Sequence, residues 1–465
     1  MENSRLFRLL RTFNSGELRH FKKFLRTPFF NQRSEVPALF DLLEKSLKTG
    51  RPAPAKNEAW RRLFGAGDYD DHRVRLAMSQ LYKLATQFLA VQDFLADAPA
   101  FQRRAARAFQ TRRLPDLAQT ALSEAAAAQE KLPLRNPDFF EEQYRITLDQ
   151  NRFAVAEQNT EAIDFQQLSR QLDQTFLIQK LWQACYMLSH QAVANTRYDF
   201  GLLDATLEFA ARSGALDTPA AALYFHCYHA LTHPEEHRHF QQFKTLLFHH
   251  DRLFSVEERR DLFILAINFC IRQYNAGSHD YLREQFDFYR TGLERQYFLS
   301  DGVLSRYTYL NAATSGMALQ ELDWTEHFIQ SYRDYLAEAH RESLFSFNLA
   351  RLEYQRRAHG AALQLLQKTD YKDLPLNLAA KTLQLKIYYE LGEYDLLESH
   401  LKAFGAFIRR KKMLGYHRTN YLNTVLFAQK MLELNRYDKN AVAALRREVE
   451  ETAAVAEKEW LLGML

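Results

Sequence analysis

Seven histidines lie between residues 226 and 250, and His226, His229 and His233 share one face of a predicted helix. Imidazoles at these spacings could hold a transition metal. No carboxylate stands at the usual ligand distance, Cys227 points to another helix face, and Pro234 ends the helix. We therefore predict packing or surface roles for these histidines, with no metal and no other cofactor.

The sequence has no motif of an established catalytic class. It contains no HExxH, no GxxxxGK[ST], no GxGxxG and no GxSxG pattern. Carboxylates are plentiful, but no two form a distinctive acid and base pair. We expect a protein that is not an enzyme.

Three cysteines, Cys185, Cys227 and Cys270, are separated by 42 and 43 residues. Without a CxxC pair they do not predict a zinc site, and three cysteines do not suggest a disulfide framework. The regular spacing places each at an equivalent point of successive helical repeats. We predict that all three are buried, reduced and not bonded to one another, because stacking separates successive repeats.

Positive charge is concentrated at the front of the chain. Residues 1–113 hold 22 Lys and Arg against 11 Asp and Glu, although the whole chain carries only +4. Solvated helix faces explain such a charge, and contact with nucleic acid or an acidic partner is the alternative. A helix-turn-helix contact with DNA is disfavoured because the second helix carries Glu35, Asp41 and Glu44.

Two basic clusters are candidate partner-binding sites. Arg103, Arg104 and Arg107 could face an acidic surface. The second cluster, Arg409, Arg410, Lys411 and Lys412, ends a predicted helix, where cations complement the helix C-terminus. It could also dock an acidic peptide at the mouth of a groove.

The elements that must position these residues are helices. Gly and Pro number only 15 and 11 of 465 residues, and 47% of the chain is hydrophobic. That composition is typical of a helix-rich protein with a large core. In the front, Asn14 and Glu17 form a predicted capping box. We expect Phe29 and Phe30, just past the end of that helix, to be pinned into the core.

Residues 373–409 are the clearest element, two amphipathic helices joined by a tight turn. Asp373 is the predicted N-cap of the first helix, and Gly392 ends it. The predicted buried positions are Leu376, Ala380, Leu383, Ile387 and Leu391 in the first helix and Leu397, Leu401, Phe404 and Ile408 in the second.

The turn around Gly392 and Tyr394 resembles the turn inside a tetratricopeptide (TPR) repeat, where a small residue closes the first helix and an aromatic residue wedges between the two. Leu397 replaces the alanine of that family. Similar turns occur at intervals of 35 to 43 residues, at Tyr198, Phe240, Tyr281, Trp324, His359, Tyr394 and Tyr437. The whole chain is also similar to a group of uncharacterised bacterial proteins with a helical front and a TPR-like body.

We therefore predict an all-α protein, with a basic helical N-terminal domain over residues 1–113 and an α-solenoid of TPR-like antiparallel helix pairs over 114–465. The resemblance implies a non-catalytic scaffold that binds a protein or peptide in its groove. A nucleic-acid-associated regulator is the alternative. No apolar run is long enough to cross a membrane, so we expect a cytoplasmic protein without a membrane partner.

Overall fold

A computed structural model describes residues 1–65, 67–194, 196–367, 371, 373–411 and 415–465. These residues form α-helices with a single two-residue-per-strand hairpin, so the predicted all-α class is confirmed. The chain forms two compact units, Met1–Tyr228 and His229–Leu465. No helix in the described ranges combines the length and the apolar character needed to span a bilayer.

Eleven of the described helices begin in the first unit. They are α1 (Arg5–Leu10), α2 (Ser15–Leu25), α3 (Glu35–Thr49), α4 (Lys56–Phe64), α5 (Asp71–Ala96), α6 (Ala98–Thr111), α7 (Pro115–Glu130), α8 (Pro137–Ala156), α9 (Phe165–Ala194), α10 (Leu203–Arg212) and α11 (Pro219–Thr232). Short 3-10 turns lie at Thr160–Ala162 and Ala215–Asp217.

Twelve of the described helices begin in the second unit. They are α12 (His237–His250), α13 (Val256–Asn275), α14 (Tyr281–Glu294), α15 (Arg306–Ala318), α16 (Leu322–Ser331), α17 (Glu338–Gln355), α18 (His359–Gln367), α19 (Leu374–Glu390), α20 (Tyr394–Arg410), α21 (Gly415–Glu433), α22 (Lys439–Glu451) and α23 (Lys458–Met464). Strands β1 (Leu299–Ser300) and β2 (Val303–Leu304) pair antiparallel, and 3-10 turns lie at Asp251–Leu253 and Arg333–Tyr335.

The front of the first unit has its own aromatic core, built by α1 to α5. Helix α2 begins with the predicted capping box: Asn14 Oδ1 accepts from the amide of Glu17 at 2.9 Å, and Glu17 Oε2 accepts from the amide of Asn14 at 2.7 Å. The helix then places Phe21 in the core, with ring centroids 5.0 Å from Phe40 and 5.2 Å from Phe88. Local capping thus starts the helix at the register that buries its apolar face.

The prediction that Phe29 and Phe30 are pinned into the core is wrong. Phe29 is 86% exposed, and Phe30 is 36% exposed and stacks on Phe24 at 4.1 Å. Phe24 already lies against Phe88 at 5.5 Å. The helix itself therefore supplies the aromatic ring at this edge of the core, and the residues after its end pack outside that ring.

Beyond the front, α6 and α7 pack closely against each other. The contact is lined by the small residues Ala106, Ala118 and Ala121, which let the two helices approach. The predicted domain boundary after residue 113 falls between these helices and inside the first compact unit. That boundary stays a prediction.

Cys185, Cys227 and Cys270 lie on α9, α11 and α13 and are buried and free, as predicted. The expectation that stacking separates the cysteines is wrong for Cys185 and Cys227, whose thiols are neighbours. Burial, and then a hydrogen bond with the neighbouring Cys227 thiol, raises the pKa of Cys185. Burial also raises the pKa of Cys270. Both shifts keep these thiols protonated and unreactive.

In the second unit, successive helices pack in pairs: α13 with α14, α15 with α16, α17 with α18, and α19 with α20. Each pair contacts the next one through α14 and α15, α16 and α17, and α18 and α19. The first helices α15, α17 and α19 also contact each other in that order. This row of three helices positions the candidate site.

The hairpin at 373–409 forms with the predicted caps. The Asp373 side chain accepts from the amide of Leu376 at 3.3 Å, and Gly392 has φ +74°. A residue with a side chain rarely adopts that left-handed conformation, so Gly392 ends the helix as predicted. All four apolar positions assigned to α20 are fully buried.

Two positions of this hairpin were predicted wrongly. Tyr394 is 52% exposed and Leu391 is 47% exposed, so Tyr394 does not wedge between the helices. Tyr394 is the first residue of α20, and helical side chains lean towards the N-terminus. Its ring lies at the edge of the hairpin, with its centroid 6.5 Å from that of Tyr389. The buried aromatic residue of this hairpin is Tyr389, which is 5% exposed.

Five of the seven predicted turn residues lie in the first turn of a helix: Phe240, Tyr281, Trp324, His359 and Tyr394. Tyr198 and Tyr437 lie in the loops before α10 and α22. The predicted spacing therefore follows the helix boundaries to within a few residues.

Candidate functional site

The basic run at the end of α20 is exposed over its described part. Arg409, Arg410 and Lys411 are exposed, and Arg410 Nε donates to a carbonyl one turn earlier at 3.3 Å. Lys411 Nζ lies 5.5 Å from the centre of the Phe407 ring. Lys412 lies outside the described residues. The contacts of this run are those of cations at a helix C-terminus.

The three arginines of the predicted cluster on α6 have different environments. Arg103 is buried, and its guanidinium bonds Glu142 at 2.7 Å and Asp149 at 3.2 Å. Burial opposes its charge, but the bonds to these two carboxylates raise its pKa. Arg107, which is half exposed, bonds Asp149 at 2.9 Å, while Arg104 is exposed. Arg103 and Arg107 therefore tie α6 to α8, and Arg104 alone of the three faces solvent without a carboxylate in the described ranges.

The basic front is partly neutralised within the chain. Lys22 of α2 pairs with Asp41 at 2.8 Å and with Glu44 at 2.9 Å, and Lys48 pairs with Glu44 at 2.6 Å. Burial alone would raise the pKa of Glu44, but the two lysines lower it below its usual value. Asp41 and Glu44, two of the three acids that disfavour a DNA contact, thus hold α2 against α3. A nucleic-acid partner for this front stays a prediction.

The histidine-rich segment is divided: His239 is buried, whereas His233, His237 and His249 are exposed. The rings of His229 and His239 stack with centroids 4.7 Å apart, and His239 Nε2 lies 3.4 Å from Glu236. Across the described ranges, no group of three or more His, Cys, Asp or Glu side chains is placed to hold a metal ion.

A groove of about 580 Å³ crosses the row of first helices in the second unit. Side chains of α15, α17 and α19 form most of its lining, with Tyr421 of α21 and the chain segment at Ala456 and Glu457. The groove exists because three neighbouring helices present their faces side by side, and no single helix could form it.

Two of the three basic residues in the groove are paired across elements. Arg306, the first residue of α15, bonds Asp373, the N-cap of α19, at 2.9 Å. Lys386 of α19 bonds Glu457 at 2.9 Å, with side chains 15% and 43% exposed. These pairs are partly exposed, so a competing carboxylate could replace either acid at little cost.

Arg351, in α17 between the other two cations, has a different environment. Its Nη1 donates to Thr314 Oγ1 at 2.8 Å, and no carboxylate in the described ranges lies within ion-pair distance. Burial lowers the pKa of Arg351 to about 10, and Glu457 offsets part of this effect. The side chain remains charged near neutral pH. Arg351 is partly exposed in the groove, so a cation without a direct counter-ion is accessible there to an anionic group.

The rest of the lining is mixed: apolar and aromatic side chains stand beside the polar ones of His340, Ser343, Gln355 and Thr382. Leu310, Phe347, Leu376 and Leu383 face the groove, and Tyr307 stands at it with 62% of its surface exposed. Apolar walls with a few placed polar groups are typical of binding sites. The arrangement suits an extended ligand that carries both apolar and acidic groups.

Sequence reasoning missed the groove cations, although a signal was present. In α17 the residues Leu344, Phe347 and Arg351 are spaced by three and four positions, so the cation continues an apolar stripe. In α19 Lys386 follows Leu383 in the same way. A cation that continues an apolar stripe keeps its charged end in solvent at the edge of the core.

The comparisons with known proteins add no relative. No protein-family model, no curated protein and no solved structure matches this chain. The functional argument therefore rests on the geometry and the charges of the groove.

Proposed function

We propose that the protein is a non-catalytic helical-repeat scaffold whose groove on α15, α17 and α19 binds an extended segment of a protein partner. The paired packing of α13 to α20 and the row of first helices support a TPR-like α-solenoid in this part of the chain. The observation that carries the proposal is Arg351, a groove cation without a direct counter-ion in the described ranges.

The partner segment has an acidic residue flanked by apolar ones. Three packed helices span roughly 20 Å, since neighbouring helix axes lie about 8–10 Å apart. An extended chain covers that distance with about six residues. The acidic residue pairs with Arg351, and its neighbours pack on the Leu310, Phe347 and Leu383 side chains.

Binding of defined peptides tests this chemistry. We expect fluorescein-labelled ten-residue peptides with a central Glu and apolar flanks to bind the full-length protein in fluorescence polarisation. Arg351→Ala should weaken that binding by about 10-fold or more, because a hydrogen bond to a charged group contributes roughly 1.5–3 kcal/mol. Arg410→Ala removes an exposed cation that does not line the groove and is the matched control. An equal loss of peptide affinity in both variants would show that binding depends only on net charge, and would contradict a role for the groove.

Photo-crosslinking in the native cell identifies the partner. A benzophenone side chain placed at Tyr307, which is in the groove and 62% exposed, should capture a discrete protein. The same group at Tyr394, 52% exposed and not part of the groove lining, is the control. A partner captured equally from both positions, or from neither, would contradict the proposal.

A further inference from the structure

The chain after α22 turns back onto α21 and α19 and lies beside the groove. Asn423 Nδ2 donates to the carbonyl of Ala454 at 2.9 Å, and Thr424 Oγ1 donates to that of Ala456 at 2.7 Å. The amide of Ala456 donates in turn to the carbonyl of Asn420 at 3.4 Å. These bonds attach residues 452–465, the C-terminal strap, to α21.

Two side chains of the C-terminal strap reach α19 one helical turn apart. Glu457 bonds Lys386 at 2.9 Å, and Trp460 Nε1 donates to Glu390 Oε1 at 2.8 Å. The Trp460 ring also lies 5.5 Å from that of Tyr389. The strap therefore presents an acidic and an aromatic side chain to α19, much as a bound peptide would.

The strap overlaps the groove itself. Ala456 and Glu457 form part of the groove lining, and Glu457 holds Lys386, one of the groove cations. The carboxylate of Glu457 also acts on the charge of Arg351. An acidic residue of a partner and Glu457 would therefore be drawn to the same cations.

Most apolar side chains of the strap are only partly buried: Val455, Trp460, Leu462, Met464 and Leu465 pack against the edge of the core. Leu461 alone among residues 452–465, all of which the structure describes, is fully buried. Glu457 has φ +56°, a left-handed conformation that is unfavourable for a residue other than Gly, Asn or Asp. Helix α23 is only seven residues long. Local opening of such a segment costs less than unfolding the helices beneath it.

We propose that the C-terminal strap is a built-in competitor for the groove: Glu457 holds Lys386 until the acidic residue of a partner replaces it and the strap moves away. This inference rests on the proposed function, since it concerns access to the same site. A strap that only covers the apolar end of the unit would stay in place when the groove fills. The two roles therefore differ in what the strap does on binding.

Hydrogen exchange of the full-length protein measures strap opening without any ligand. Glu457→Gln should speed exchange of the strap amides about two- to five-fold, the effect expected for a partly exposed ion pair. Glu459→Gln removes the same charge two residues on, from an exposed side chain, and should leave exchange unchanged. Trp460→Phe keeps a ring but loses the donor to Glu390, and should speed strap exchange about tenfold.

The acidic peptides described above then test competition. Apparent affinity scales with the fraction of open groove, so Trp460→Phe should tighten peptide binding by the same factor by which it speeds strap exchange. This variant leaves the groove charges intact, so a gain cannot come from electrostatics alone. Adding peptide to the unmodified protein should also speed strap exchange.

The outcomes separate the two proposals. If peptides bind but strap exchange does not change, and Trp460→Phe binds no more tightly, the groove is a binding site and the strap is only a structural cap. If no peptide binds the unmodified protein or Trp460→Phe, the proposed function is wrong, and the competitor role falls with it.

Discussion

Glu390 is a buried carboxylate whose replacement tests how the second unit is held together. Its side chain is 7% exposed. Trp460 Nε1 donates to Oε1 at 2.8 Å, and the Tyr354 hydroxyl donates to the same oxygen. Arg357 Nη1 and His359 Nε2 each lie 3.3 Å from Oε2. One carboxylate thus joins α17, α18, α19 and α23.

Glu390→Gln keeps the shape of the side chain but removes its charge and turns one acceptor into a donor. A hydrogen bond to a charged group contributes roughly 1 kcal/mol more than a neutral one, and two such bonds are affected at Oε1. The amide hydrogens would face Arg357 and His359, where burial makes the lost acceptor costly. We expect a total loss of about 3 kcal/mol in the free energy of unfolding of this region.

Urea unfolding followed by circular dichroism measures the loss, and hydrogen exchange locates it in α17, α19 and α23. The control is Glu398→Gln, which removes the same charge from a side chain 60% exposed and paired with Lys402 at 2.6 Å. That variant should unfold as the unmodified protein does. If both variants have the same unfolding midpoint, Glu390 does not hold these helices together, and the network described here is wrong.

Four further predictions concern packing and protonation. Leu397→Ala should lower the free energy of unfolding by about 2–5 kcal/mol, because Leu397 is buried. Leu396 is 54% exposed on the same helix, so Leu396→Ala is the control and should be nearly neutral. Equal urea midpoints for the two variants would contradict the assigned faces of α20. Gly316→Ala drives a Cβ into a threonine hydroxyl and should lower the melting temperature, with a cost of about 1–3 kcal/mol. Gly360→Ala meets open space in α18 and should raise the melting temperature, by about 0.5–1 kcal/mol of added stability. Burial lowers the pKa of His400, so its contribution to stability is complete above about pH 6.5 and is lost as the pH falls towards the lower folded-state pKa. Unfolding titrations across this range should show that loss, and His400→Gln should remove it.

The sequence by itself determined the local features of the fold. The capping box of Asn14 and Glu17, the N-cap Asp373 and the helix stop at Gly392 all formed as predicted. Each depends on groups within a few residues of one another, so a single sequence contains all the information needed. The burial of Leu397 and its companions on α20 follows from helical periodicity in the same way.

Tertiary structure alone decided which members of a predicted face are covered. Tyr394 lies on the apolar side of α20, but it is the first residue of that helix and its ring is half exposed. Phe29 is exposed because Phe24 already fills the edge of the core. Helical periodicity gives the direction in which a side chain points. It does not show whether another element covers the side chain there.

The site was decided by tertiary structure for the same reason. Arg103 has the sequence context of a surface cation, yet two carboxylates about 40 positions away bury and neutralise it. Arg351 is the opposite case, because no acidic side chain in the described part of the chain lies within ion-pair distance of it. The energy of a charge depends on its burial and on the charges within a few ångströms, and distant segments of the chain supply both.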